Sequence, residues 1–208
     1  MSMSELGLDE LEVDALTELV NIGVSRAAAS LRDLVGEQVF LTVPTLAILT
    51  RAKAADHVSL SKSSQLVAVR QAFQGEFSGR ALLIFPEANS LELVRVVAGG
   101  HLSLEDIVEL EQEALAEIGN IILNSCVATI SNLLQRSLTM SLPEIVRGTG
   151  LDLFELSLSG ADDVVLFIHI NFSLQGHEIS GYVAMVMDLP ALNALKLLVG
   201  EFILRSTT

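Results

Sequence analysis

Apolar residues recur at helical spacing from Asp9 to Leu34, with Leu11, Ala15, Leu19 and Ile22 on the repeating positions, and Gly36 supplies a stop. The period then changes. Gln38 to Leu49, rich in Val, Phe, Thr and Leu, predicts a strand in which Pro44 belongs at an edge or bulge. Gln65 to Gln74 and Ser78 to Phe85 alternate like a hairpin around Gly75, and Asn89 to Ala98 returns to helical spacing closed by Gly99-Gly100. The second half repeats the order. Ser103 with Asp106 makes a capping-box start, Glu109 to Gln135 is the long helix, and Ser137 to Pro143 begins the strands. Val164 to Leu174 and Glu178 to Asp188 form a second hairpin, and Pro190 to Val199 a helix ending at Gly200. Ser78-Gly79 and Ser180-Gly181 take matching places at the start of the returning strands. No linker rich in Pro, Gly or Ser separates the halves, so the pattern predicts one pseudo-symmetric α+β domain in which neither half need be stable alone.

One polar signature interrupts both long helical patterns at the same place. Asp14, Glu18 and Asn21, followed by Pro44, recur 99 positions later as Glu113, Glu117 and Asn120, followed by Pro143. At about 100° per residue, each trio falls within roughly 60° on its helix, so acid, acid and carboxamide share one stripe. The same offset aligns Glu12 with Glu111, Ala15 with Ala114, Leu16 with Leu115 and Ile22 with Ile121. Ser25 and Asn124 extend the stripes by one turn. A single such trio is what any solvated helix face presents, but two copies in phase describe one unit used twice. The asparagines need a reason beyond helix propensity, because Asn is a mediocre helix former favoured at caps.

Asp14-Ala-Leu-Thr-Glu18-Leu-Val-Asn21 through Pro44, and Glu113-Ala-Leu-Ala-Glu117-Ile-Gly-Asn120 through Pro143, resemble the signature of the CheC family, phosphatases of the chemotaxis response regulator CheY. The second copy departs at its first position, where Glu113 stands in place of Asp or Ser. The doubled site is similar to CheC rather than to its flagellar-switch relative FliY, which carries an extra C-terminal domain. The resemblance implies an α/β sandwich with a pseudo-two-fold axis, an antiparallel-rich sheet and both long motif helices exposed on one side. It also implies an enzyme, a protein aspartyl-phosphate phosphatase with Glu18, Asn21, Glu117 and Asn120 as catalytic residues and Asp14, Ser25, Glu113 and Asn124 meeting the partner. Such chemistry asks little of the accelerating protein. The regulator already holds its phosphoryl group on Mg²⁺ beside a lysine, so the partner need only place water in line. A carboxamide can accept from that water through C=O and donate through NH₂ without bringing negative charge. Glu18 or Glu117, one turn away, would pair with the regulator's lysine. No cofactor of the chain's own is expected, and Mg²⁺ comes with the substrate. The two sites are expected to differ in affinity rather than in the bound step, because Asp14 and Glu113 differ in length. Two other roles fit the family: an adaptor that docks phosphorylated CheY or the receptor deamidase CheD without turnover, and a structural part of the flagellar switch.

Composition narrows the setting. Half the residues are hydrophobic, enough for a substantial core, and neither a signal peptide nor an 18-residue apolar run is read from the sequence, so a cytoplasmic protein without membrane insertion is expected. A net charge of −14 repels nucleic acid and anionic lipid and favours a partner with a cationic face. Other chemistries lack their parts. His57, His101, His169 and His177 have no short metal-ligand spacing, and the single Cys126 sits in an apolar helical stretch where a buried thiol is expected. Gly-x-Ser-x-Gly and a Gly-rich phosphate loop are both missing. Pro44 and Pro143 read as residues that end or bend a strand.

Overall fold

A computed structural model describes residues 8–36, 38–59, 65–97, 104–155, 164–174 and 177–206. Helix α1 (Glu10–Val35) begins on a capping box: the Asp9 carboxylate accepts from the Glu12 N–H at 2.8 Å, and the Glu12 carboxylate accepts from the Asp9 N–H at 2.9 Å. It ends where Gly36 turns left-handed, φ 76°, and donates to the Arg32 carbonyl at 2.8 Å. Strand β1 (Val39–Thr50), helix α2 (Arg51–Ser59), the hairpin β2 (Leu66–Gly75) and β3 (Gly79–Pro86), and helix α3 (Glu87–Val97) complete the first half. The second half follows the same order with α4 (Leu104–Leu133), β4 (Leu138–Met140), β5 (Glu144–Gly148), α5 (Gly150–Leu153), β6 (Val164–Leu174), β7 (His177–Met187) and α6 (Leu189–Ser206).

The strands form one antiparallel sheet in the order β1-β6-β7-β3-β2-β4, with β5 also on β2. Each half therefore lends its first strand to the other half's hairpin. The two-fold relation extends to register. Thr45 pairs with His169; adding 99 to the first and subtracting 99 from the second gives Glu144 and Arg70, which are also paired. Even the irregularity recurs, since β1 slips register between Thr42 and Thr45, around Pro44, where the other half breaks into β4 and β5 around Pro143.

Alternation along the strands builds two cores. Val67, Val69 and Phe73 of β2 face the larger one, shared with Leu16, Leu19 and Val20 of α1, Ile118 and Ile122 of α4, Val94 of α3 and Leu195 of α6. Leu66 and Ala68 face the smaller one, closed by Ala54, Ala55 and Val58 of α2 and by Leu153 and Phe154 beside α5. The long helices thus lie on one side of the sheet and the short ones on the other.

Several boundaries differ from those expected. Helix α4 stops at Leu133 rather than Gln135, because Gln135 adopts φ 57° and the following Arg136 N–H closes back on the Ser131 carbonyl at 2.8 Å. Helix α6 does not end at Gly200 but runs to Ser206, since Phe202 and Ile203 pack on the larger core and a glycine inside a helix costs only about 1 kcal/mol. The expected strand 137–143 is split by its proline, and α2 and α5 were not predicted at all. Pairing also corrects the two Ser-Gly sites: Gly79 lies opposite Phe73 and Gly181 opposite Ile170, so they are not equivalent positions. Ser103 and Gly99-Gly100 fall outside the described residues. Leu110–Leu133 is apolar and long enough to cross a bilayer by composition, yet over half of its 18-residue apolar window is buried inside this fold, as in a core helix.

Candidate functional site

The first stripe is open. Asp14, Glu18, Asn21 and Ser25 are all exposed on α1, while Leu16, Leu19, Val20 and Val24 face the core from the same turns. No side chain of the four bonds to another described residue. Asn21 therefore stands mid-helix with its C=O and both N–H groups available.

The second stripe lies where the helices meet. Gly23 lets α1 approach α4 so closely that an added Cβ would lie 2.9 Å from the Cys126 Cα, and Arg26 reaches the Thr129 hydroxyl at 3.2 Å. Glu113 and Glu117 are exposed, as on α1, but Asn120 and Asn124 are half-buried. Gly119 seats this part of α4 on the sheet: a Cβ there would fall 2.5 Å from the Val69 side chain. Asn120 consequently reaches β2. Its Oδ1 accepts from Gln71 Nε2 at 3.2 Å and from Asn124 Nδ2 at 2.6 Å. Gln71 Nε2 also donates to the Ser141 carbonyl at 2.8 Å, and Asn124 Nδ2 to the Asn120 backbone carbonyl at 2.8 Å.

Beside this stripe a cavity of about 620 Å³ opens, lined by Glu113, Glu117, Leu34, Leu110, Ala116 and Pro143 among others. Leu34 from the end of α1 meets the first half of α4, so the helices run antiparallel. The strand-breaking Pro143 thus also forms part of the surface next to the two acids. Sequence reading missed that, together with Gln71 and the apolar wall. A single buried glutamine in a strand carries no motif, and nothing short of the packed fold brings Leu34 to Glu113.

The aligned acids Glu12 and Glu111 turn inward and serve the scaffold. Glu12 caps α1 and lies 3.7 Å from Lys196, whereas Glu111 accepts from Ser90 at 2.9 Å and from Arg147 at 2.7 Å. On the other face of the sheet, Arg70 bonds Glu144 at 2.8 Å and Glu155 at 2.6 Å, and Arg80 also pairs with Glu155. Glu144 and Glu155 hold the Arg70 guanidinium above its ordinary range against the opposing effect of burial. Burial alone would push the Glu155 carboxyl up, but Arg80 and Arg70 together bring it below its ordinary range. At the related end, where His169 replaces Arg70, His169 stacks on Tyr182 at 5.2 Å with the His57 ring on the same tyrosine at 6.0 Å. Burial, and next the His57 charge, lower the His169 pKa. Cys126 is buried and its thiol is pushed up to about 12, which leaves it inert. The His101 residue and the His177 side chain lie outside what is described.

Over residues 67–169 the chain matches the family described as chemotaxis phosphatase CheX. It is 24% identical over 206 residues to the CheY-P phosphatase CheC of Bacillus subtilis (strain 168), covering 93% of this chain and 96% of that protein. To the flagellar motor switch phosphatase FliY of the same organism it is 25% identical over 140 residues, 66% of this chain and 36% of that longer protein. The crystal structure of Thermotoga maritima FliY is similar in fold, with a TM-score of 0.74 at 20% identity over 94% of this chain and 99% of that one.

Proposed function

We propose, from the premise that this chain belongs to the CheC family of chemotaxis phosphatases, that it accelerates hydrolysis of the aspartyl phosphate of a CheY-type response regulator. The observation that carries the reading is the exposed stripe of α1, where Glu18 and Asn21 stand one turn apart with no intramolecular bond to another described residue. An asparagine held mid-helix at the surface has little structural use. Presented to a phosphoryl group, its carbonyl accepts from the attacking water and its NH₂ donates to an oxygen of the transferring group. Glu18 pairs with the regulator's lysine and fixes the approach of α1, with Asp14 and Ser25 at the rim. Glu117 and Asn120, with Glu113 and Asn124, form the second copy. The Mg²⁺ is the regulator's own. The net charge of −14 suits a partner that docks through a basic patch, in the cytoplasm where such regulators work. CheD is a second partner carried by the family resemblance alone. The test is release of phosphate from a phosphorylated regulator with Mg²⁺ present and this protein substoichiometric. Many phosphates released per chain are expected; release limited to the spontaneous rate, with binding retained, would make the protein an adaptor.

A further inference from the structure

The orientation of every amide in the second stripe is set by two groups that can only accept. The Ser141 carbonyl accepts a hydrogen bond from Gln71 Nε2 and so turns the nitrogen end of Gln71 toward it, and that same nitrogen faces Asn120. The Asn120 backbone carbonyl likewise fixes the nitrogen end of Asn124. Both donors therefore converge on Asn120 Oδ1, whose two lone pairs are filled. Gln71 itself is 1% exposed, and its own Oε1 is buried without a partner among the described residues. That unsatisfied carbonyl is a cost which a leucine of similar size would avoid, so packing does not explain a glutamine there. The first stripe has none of this. The 99-residue offset that equates the strands puts buried Ile170 where the other half has Gln71, exposed Ser25 for Asn124 and exposed Thr42 for Ser141.

We propose that Gln71 is a positioning residue that latches Asn120 with its carbonyl turned inward, so that the second site is held below its full rate until the latch opens. The inference rests on the water-accepting role given to the asparagine carbonyl above. With Oδ1 occupied, Asn120 offers a docked phosphoryl group only its NH₂; accepting from the attacking water requires that the bonds to Gln71 and Asn124 give way. Gln71 is buried and does not reach the partner, so the latch acts on the bound step and not on docking.

The experiment isolates the second site in an Asn21→Ala protein and adds Gln71→Leu. The limiting rate of phosphate release per chain should rise about three- to tenfold, the factor corresponding to the net worth of one neutral hydrogen bond, with the half-saturating regulator concentration unchanged. Release appearing where the Asn21→Ala protein shows none counts the same way. Gln71→Leu in an Asn120→Ala protein should change neither quantity. Asn124→Ser, which installs the residue of the first stripe at a half-buried position, should give a smaller rise and covers the case in which Gln71→Leu misfolds. A limiting rate that stays level or falls in both variants, with the melting temperature retained, overturns the latch. The combined Asn21→Ala, Asn120→Ala protein separates the two ideas: if it still accelerates release, the asparagine role itself is wrong, whereas its inactivity beside a level Gln71→Leu response removes only the latch.

Discussion

The two stripes carry nearly the same side chains on helices related by symmetry, yet one is a free surface and the other is a wired one. On α1 the asparagine is exposed with no bond to another described residue; on α4 it is half-buried and bonded to a strand, a neighbouring turn and, through Gln71, the β4–β5 connection. The difference starts at Gly119. Its missing side chain lets α4 settle on Val69, and the carboxamide one residue later is carried within reach of β2. Nearly identical motifs thus acquire different surroundings from what lies beneath them, a contrast that extends through the sheet, where ion pairs back the second stripe and stacked rings the first.

The largest effect tests whether the comparison concerns catalysis at all. Replacing Asn21 and Asn120 together with Ala should lower accelerated phosphate release by about 10² to 10³, the usual cost of losing a positioned group. At Asn21 stability should move within about 0.5 kcal/mol, because the position is an exposed helix surface. Unchanged release by this double variant would reject the asparagine role and leave the phosphatase reading to be carried by other residues.

Next in size, Gly119→Ala should destabilise the fold and alter the second stripe while sparing the first. Its Cβ would clash with Val69, so α4 must shift away from β2 at a cost of about 1 to 3 kcal/mol of stability. Denaturant unfolding together with release by the Asn21→Ala and Asn120→Ala backgrounds would show whether the change is confined to one site. Equal changes at both would mean that the stripes depend on α4 alike.

The single variants refine the contrast further. The expectation from side-chain length was a difference in affinity; the latch on Asn120 moves it to the bound step. Asn120→Ala, which leaves the open stripe, should keep a limiting rate several-fold above that of Asn21→Ala, read from release across regulator concentrations. Coincident curves would make the wiring of Asn120 irrelevant.

The smallest effect concerns the backing of the first stripe. Because the folded state lowers the His169 pKa, its contribution to stability is complete above the ordinary histidine value of about 6.5 and declines as pH falls through the folded value. His169→Phe keeps a ring against Tyr182 and should flatten that part of the stability profile between neutral and mildly acid pH. Glu155, held low by Arg80 and Arg70, behaves in the same direction but only below the ordinary carboxylate range. Melting temperatures across pH for both proteins would separate the two, and parallel profiles would exclude His169 as the source.

Much of this protein was written in local pattern. The 3.6-residue and two-residue periods, the Asp9 cap, the Gly36 stop and the 99-residue repeat determined the two long helices, both hairpins and the doubling, because those signals act between neighbours in the chain. The repeat also marked Asp14, Glu18, Asn21 and their partners, since a mid-helix asparagine conflicts with local preference wherever it occurs. Packing decided the remainder. Helix α2 carries only a short apolar edge and becomes a helix by closing the smaller core; α6 continues past Gly200 because Phe202 and Ile203 find a surface there. Which first strand joins which hairpin, and hence the interlock of the halves, depends on contacts between residues far apart in the chain, from Gly75 with Leu138 to Val39 with Leu174. The difference between Asn21 and Asn120 belongs to the same class. It is set by Gln71, 49 positions away along the chain and one hydrogen bond away in space, and a distance of that kind exists only once the sheet and α4 have packed together.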